Sequence, residues 1–195
     1  MKPTHFRILI IFLFTSLFSC GDEDPTATVD PIEAQWSEPE FRAAYVREHR
    51  REKYTIVNTS PSLRLAIQNL IDELVLDSGN PNQWVMSERE HREVIWPNLP
   101  DSDLANPTSS PVSHYTIVKT FQSLLWPALG RYRGRKLKVE SIEFRKEPEK
   151  HYALTVHYPG LVRIKDLATG KILETKFVTQ VVEHDGRFKI SRVAP

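Results

Sequence analysis

The chain has 195 residues, with 26 Lys or Arg against 25 Asp or Glu, 40% hydrophobic and 10% aromatic content. That length suits one domain with a genuine core, and the apolar share excludes a chain that is disordered throughout. The near-even charge balance gives no electrostatic reason to expect nucleic acid or an anionic membrane surface as a partner.

In chain order, Lys2 and Arg7 precede a largely apolar run, residues 8–18, broken only by Thr15 and Ser16. As a helix this run would extend roughly 16 Å, well short of a hydrocarbon core of ~30 Å. Its length fits the central part of an export signal better than a membrane span. The run closes on Leu17-Phe18-Ser19-Cys20, and Cys20 is the only cysteine of the chain. The mature protein therefore has no internal disulfide, and an exported chain without such staples depends on its core.

The basic start, the apolar run, an aliphatic residue three places before the cysteine and a small one just before it resemble the signal peptide of a bacterial lipoprotein. The resemblance implies that residues 1–19 are removed and that Cys20 receives a lipid on its sulfur and at its new amino terminus. The membrane, reached through that lipid, is then the first partner. Two other readings of the stretch are an uncleaved anchor and an ordinary secretory signal that leaves Cys20 a free thiol. Removing Lys2 and Arg7 with the leader turns the formal balance from +1 to −1. Residues 20–36 are acidic, carry Pro25 and Pro31 and show no apolar period, which reads as a disordered tether. In some bacterial groups an acidic run after the lipoprotein cysteine resembles a surface-export signal, and in others the residue beside the cysteine, here Gly21, directs sorting. The resemblance thus implies the outer membrane over the inner and leaves the leaflet open.

Residues 37–195 read as a single α+β domain, with helices first and a curved antiparallel sheet of three to four strands after them. Ser37-Glu38-Pro39-Glu40 has the form of a helix start, followed by Phe41, Ala44 and Tyr45 on one face and a charged, solvated end over 47–53. Ser60-Pro61 opens the most periodic helix, with Leu63, Ala66, Ile67, Leu70, Ile71, Leu74 and Val75 at three-four spacing and Gly79 placed to end it. Ser87 and Glu90 form a third cap, and Trp96-Pro97 should stop the short helix behind it. Residues 97–113 read as a loop, and a fourth helix over about 112–126 should bury Ile117, Phe121, Leu124 and Leu125 until Pro127 ends or kinks it. Trp96 and Trp126, at the ends of apolar faces, read as core.

After Gly134 the period becomes two. A strand over 137–145 slips its alternation between Val139 and Ile142, as at a bulge. A long strand over 152–164 carries Tyr152, Leu154, Val156, Tyr158, Val162 and Ile164 on one face, with Pro159-Gly160 as a bend that keeps that parity. Residues 166–170 turn, 172–183 form another long strand, and Asp185-Gly186 is a two-residue hairpin signal before a last strand over 188–193. That hairpin pairs His184 with Arg187, Glu183 with Phe188, Val181 with Ile190 and Thr179 with Arg192. It puts Arg192 and Thr179 on the apolar face with Phe177, Val181, Phe188 and Ile190, and His157 and His184 outside.

This order of elements over about 60–193 resembles the cystatin-like cone shared by nuclear transport factor two and the SnoaL-like proteins. The resemblance implies helices over the concave side of the sheet and a pocket between them. Two departures are the charged extra helix over 37–53 and the lack of an early strand pair.

No metal or cofactor signature is present, so none is expected. His91-Arg92-Glu93 lacks the two further cysteines that a zinc deaminase needs, and His151 and His157 stand roughly 20 Å apart along a strand. Surface or half-buried histidines are the plain reading. There is no Gly-x-Ser-x-Gly elbow, phosphate loop or dinucleotide fingerprint, and no residue is assigned a catalytic role. The dense basic patch of Arg131, Arg133, Arg135 and Lys136 reads as a solvated corner that could also meet phosphates. A guanidinium on an apolar face needs a carboxylate, water or an anionic ligand, so Arg192, Thr179 and Tyr158 are the pocket candidates. The chain is expected to be a non-catalytic module that binds a small ligand or an envelope protein. The alternative is a SnoaL-like isomerase or hydrolase with an acid or base in the pocket, which would require an ionisable group of suitable pKa inside it.

Overall fold

The computed structural model describes residues 35–106 and 110–194. Cys20, the leader and nearly all of the tether lie outside them. The described chain is α+β, with helices in its amino-terminal half and a five-stranded antiparallel sheet behind them. Helix α1 is Pro39–His49, α2 Leu63–Val75, α3 the single turn Glu88–Glu90, α4 Asp101–Ala105 and α5 Pro111–Leu129. The strands are β1 Leu137–His151, β2 Leu154–Asp166, β3 Ile172–Thr175, β4 Val178–His184 and β5 Arg187–Val193. The spatial order is β1-β2-β4-β5, and β3 shares with β4 the second edge of β2. The expected long strand over 172–183 is thus two strands, broken at Lys176-Phe177, which raises the count to five.

The helix starts differ from their sequence reading. The cap of α1 is Glu38, whose side chain makes no capping bond, with Pro39 in the first turn. The cap of α2 is Ser62, whose Oγ accepts the Leu65 N–H. Ser60, the expected cap, instead pairs its backbone with Phe188 in both directions at 2.8 Å. Helix α2 ends at Val75, before Gly79. Gly79 serves a close approach, since a Cβ there would lie 1.9 Å from the Glu73 carbonyl oxygen. At α3 the reading holds: Ser87 and Glu90 form a reciprocal capping box. The chain then continues past Trp96 through a π turn, His91–Ile95, and a 3-10 turn, Trp96–Asn98. Helix α4 occupies part of the expected loop.

Helix α5 buries Val118, while Ile117 is 44% exposed. Two adjacent apolar residues fit the same period one step out of phase, and packing rather than pattern selects between them. Phe121 is half-buried; the side chains of Leu124 and Leu125 lie outside the description. Trp96 is core, but Trp126 is half-buried and donates from Nε1 to Asn82. Trp36 is 5% exposed and meets Phe41, Tyr45 and Trp96 edge-on at 4.9–6.1 Å, so the packed chain reaches back at least to it. The charged end of α1 is not simply solvated: Arg50 donates to the Pro97 carbonyl and lies over the Tyr152 ring, and Arg42 is buried with Nη1 on the Asn106 carbonyl.

Both faces of the sheet are covered. Val181 packs in one cluster with Ile67, Leu70, Ile190 and Val193, whereas its neighbour Val182 packs in the other with Met86, Val94, Ile95 and Val156. Strand β2 changes face along its length. Leu154, Val156 and Tyr158 belong to the second cluster, Val162 and Ile164 to the first. The cause is an extra residue: Glu143 pairs with Leu161 and Phe144 with Pro159, so Gly160 bulges and inverts the alternation. The parity expected across Pro159-Gly160 is therefore wrong. Tyr152 is not in the strand either; it sits at φ 50°, half in solvent, in the tight β1–β2 turn.

Candidate functional site: a groove built by strand bulges

Three irregularities meet at one level of the sheet. Gly160 bulges from β2, and Thr179 and Ser191 are the unmatched residues of β4 and β5. Val181–Ile190, Glu183–Phe188 and His184–Arg187 pair as the hairpin predicts. Beyond them Arg192 pairs with Gln180, not with Thr179, because β5 has gained Ser191; Thr179, the extra residue of β4, then restores the register at Val178–Val193. The gain turns Arg192 away from Val181 and Ile190 and toward the face of Tyr158 and Val182. Bulges of this kind re-aim side chains and gather beside functional sites.

The result is a groove with two adjoining recesses of about 440 and 320 Å³. Lys146, Tyr158, Gln180 and Arg192 line both. The three pocket candidates, Arg192, Thr179 and Tyr158, come together in the larger recess. The smaller one adds an apolar wall from Ile95, Leu99, Leu154, Val156 and Val182. Gly160 makes room for Arg145, whose Cγ would stand 2.7 Å from a Cβ at that position. Arg145 crosses β2 there and donates from Nη2 to the Thr179 carbonyl at 2.7 Å.

Two groups of the groove are held in fixed protonation states. Lys146 and the Tyr158 hydroxyl both donate to Glu149, and these bonds hold its carboxyl down at about 2. Burial and the same bond push the Tyr158 hydroxyl well above its ordinary range. Lys146 also stands 3.9 Å from the centre of the Tyr158 ring. His151 points Nε2 at Glu149 from 3.3 Å. The Arg192 guanidinium has no carboxylate or hydrogen-bond partner among the described residues.

The other sequence candidates lie elsewhere. Arg133, Arg135 and Lys136 are exposed at the corner before β1, and the Arg131 side chain lies outside the description. Arg135 pairs with buried Asp166 at 3.1 Å. Burial opposes ionisation of Asp166, but the Ala168 and Thr169 N–H groups and Arg135 outweigh it and hold the carboxyl below its ordinary value. This corner is a structural clamp on the turn as much as a basic patch. Two histidines read as surface or half-buried groups are core. His91 meets the Ser191 carbonyl through Nε2 at 3.1 Å. His184 accepts the Tyr54 N–H at Nε2, which leaves Nδ1 to donate to the Ala153 carbonyl. His157 bonds Glu183 at 2.8 Å on the face of Val181. No cluster of three or more His, Cys, Asp or Glu suited to a metal occurs among the described residues.

Lys146, Glu149 and Gln180 of the groove were not singled out from sequence, and His151 was weighed only as a metal ligand and read as a surface or half-buried histidine. The signal available was weak, a charged run over 145–151 on a strand that alternation alone would have ended at Arg145. Compared with family models, curated proteins and solved structures, the chain matches none.

Proposed function

We propose that this protein is a lipid-anchored lipoprotein of the bacterial cell envelope, held in the outer membrane through Cys20, and that its folded domain is a non-catalytic binding module. The observation that carries the binding reading is the groove beside Tyr158. It presents fixed donors and an uncommitted guanidinium on a rigid sheet, as ligand sites do. Proton transfer needs a group that changes state near the working pH. Glu149 stays ionised and Tyr158 stays protonated, so neither supplies it. The anchor rests on the leader and its cysteine.

Fractionation tests the anchor. Cys20→Ser is expected in the soluble fraction without acyl mass, and a wild-type chain that carries no acyl group overturns it. Native mass spectrometry of the full-length protein mixed with small molecules extracted from cells tests the module. A ligand retained and recovered chemically unchanged is the expected result; a ligand consumed would make the protein an enzyme.

A second reading, a SnoaL-like enzyme, is favoured by one observation: His151 lines the smaller recess with Glu149 beside its Nε2. A binding module keeps its affinity in His151→Gln, whereas an enzyme with His151 as its base loses turnover.

A further inference from the structure

We infer that the groove takes a small organic monoanion, a carboxylate carried on an apolar body, with the carboxylate on Arg192 and the body against Leu154, Val156 and Val182. The inference rests on the binding-module reading and adds the chemistry of its ligand.

Arg192 is the cation of the groove left without a partner among the described residues. Lys146 is committed to Glu149, Arg145 to the Thr179 carbonyl, and the Thr179 hydroxyl to the Arg192 carbonyl. Arg192 is half-buried, and its guanidinium meets no acid among the described residues. A planar five-donor fork in that state matches a carboxylate with two parallel bonds. Gln180 stands directly opposite on β4, on the same face, and its amide is placed to add a third.

Charge decides between a carboxylate and a phosphate. Across the two recesses Arg145, Lys146 and Arg192 face Glu149 and Asp103. Three cations against two carboxylates leave one positive charge, which a single negative charge neutralises. A doubly charged phosphate would leave an excess anion in a partly desolvated groove. Shape supplies the rest of the ligand. The recess beside Arg192 is walled by aliphatic side chains, and its volume lies at the small end of ligand pockets, roughly 300–1,000 Å³.

The test is titration calorimetry of the full-length protein in non-ionic detergent with hexanoate, 1-hexanol and hexyl phosphate, the last at a pH where it is doubly charged. Hexanoate is expected to bind about tenfold tighter than either of the others. Arg192→Leu and Arg192→Gln should each weaken hexanoate about tenfold and leave hexanol unchanged, with melting temperatures near wild type. Arg133→Leu, at the distant corner, should change nothing. Hexanol or hexyl phosphate binding as tightly as hexanoate overturns the carboxylate assignment while the groove remains a ligand site. Unchanged hexanoate affinity in both Arg192 variants overturns the role of Arg192. Absence of binding by all three probes overturns the inference, whereas the module itself stands or falls on the mass-spectrometric result.

Discussion

The Lys189 ammonium lies 2.9 Å from both carboxylate oxygens of Glu90, with only 3% of the lysine side chain and 10% of the glutamate exposed. Lys189 also donates to the Val57 carbonyl, and Glu90 accepts from the Ser87 N–H and hydroxyl. One buried pair thus ties β5, the segment before α2 and the cap of α3. Removing one partner of such a pair strands a charge and costs about 3–5 kcal/mol. Lys189→Met should destabilise by about that amount in urea unfolding. Adding Glu90→Gln, which keeps the cap and removes the stranded charge, should recover part of the loss. A double variant less stable than Lys189→Met would show that the pair is not the origin of the effect.

Trp36 marks the start of the packed chain. Its ring meets Phe41, Tyr45 and Trp96 edge-on, so Trp36→Ala should cost about 3–5 kcal/mol. A chain beginning at residue 35 should melt with one beginning at 21, and one beginning at 38 should melt several degrees lower. Equal melting of all three would mean that the aromatic cluster contributes nothing.

The groove predicts a particular pH response. The Glu149 carboxyl is depressed, so its contribution to stability is present above its unfolded value of about 4.5 and is lost as pH falls through about 2. The Tyr158 hydroxyl is raised, so its contribution is present below about 10 and is lost only at higher pH. Carbon-detected NMR of the glutamates should show one carboxyl that does not titrate between pH 6 and 3. Glu149→Gln should return Tyr158 toward the ordinary range, read by ultraviolet difference titration. A Glu149 that titrates with the other glutamates would contradict the geometry.

Gly160 is needed for space. A methyl group there meets Arg145 Cγ at 2.7 Å, and Arg145 holds the Thr179 carbonyl across β2. Gly160→Ala should therefore cost about 1–3 kcal/mol and loosen the groove. Arg145→Ala in the same background should return most of the lost stability, since it removes the obstructed side chain. Absence of any recovery would place the strain in the backbone instead.

The α+β order, the α2 face and the hairpin at Asp185-Gly186 were legible because each rests on a local signal: a period, a cap or a turn residue. The register of β4 and β5 was read correctly from the turn as far as Val181 and Ile190 and failed at Thr179. A bulge is a mismatch in length between two strands, and neither strand records it alone. The same limit hid the switch at Gly160, where an apolar residue at every second position hides an inversion of faces. Arg192, Thr179 and Tyr158 were grouped together, but on an argument that put them on the wrong face. Lys189 and Glu90 gave no sign of pairing, since they come from elements 99 residues apart.

Strand β2 joins Leu154, Val156 and Tyr158 in one hydrophobic cluster to Val162 and Ile164 in the other within a single backbone. Neither cluster can melt and leave its neighbour intact, because the strand that would fray is the wall of both. The two layers therefore behave as one cooperative unit, with amide exchange along β2 governed by global opening rather than by local fluctuation. That coupling leaves no half-open form of the two layers for a protease to cut.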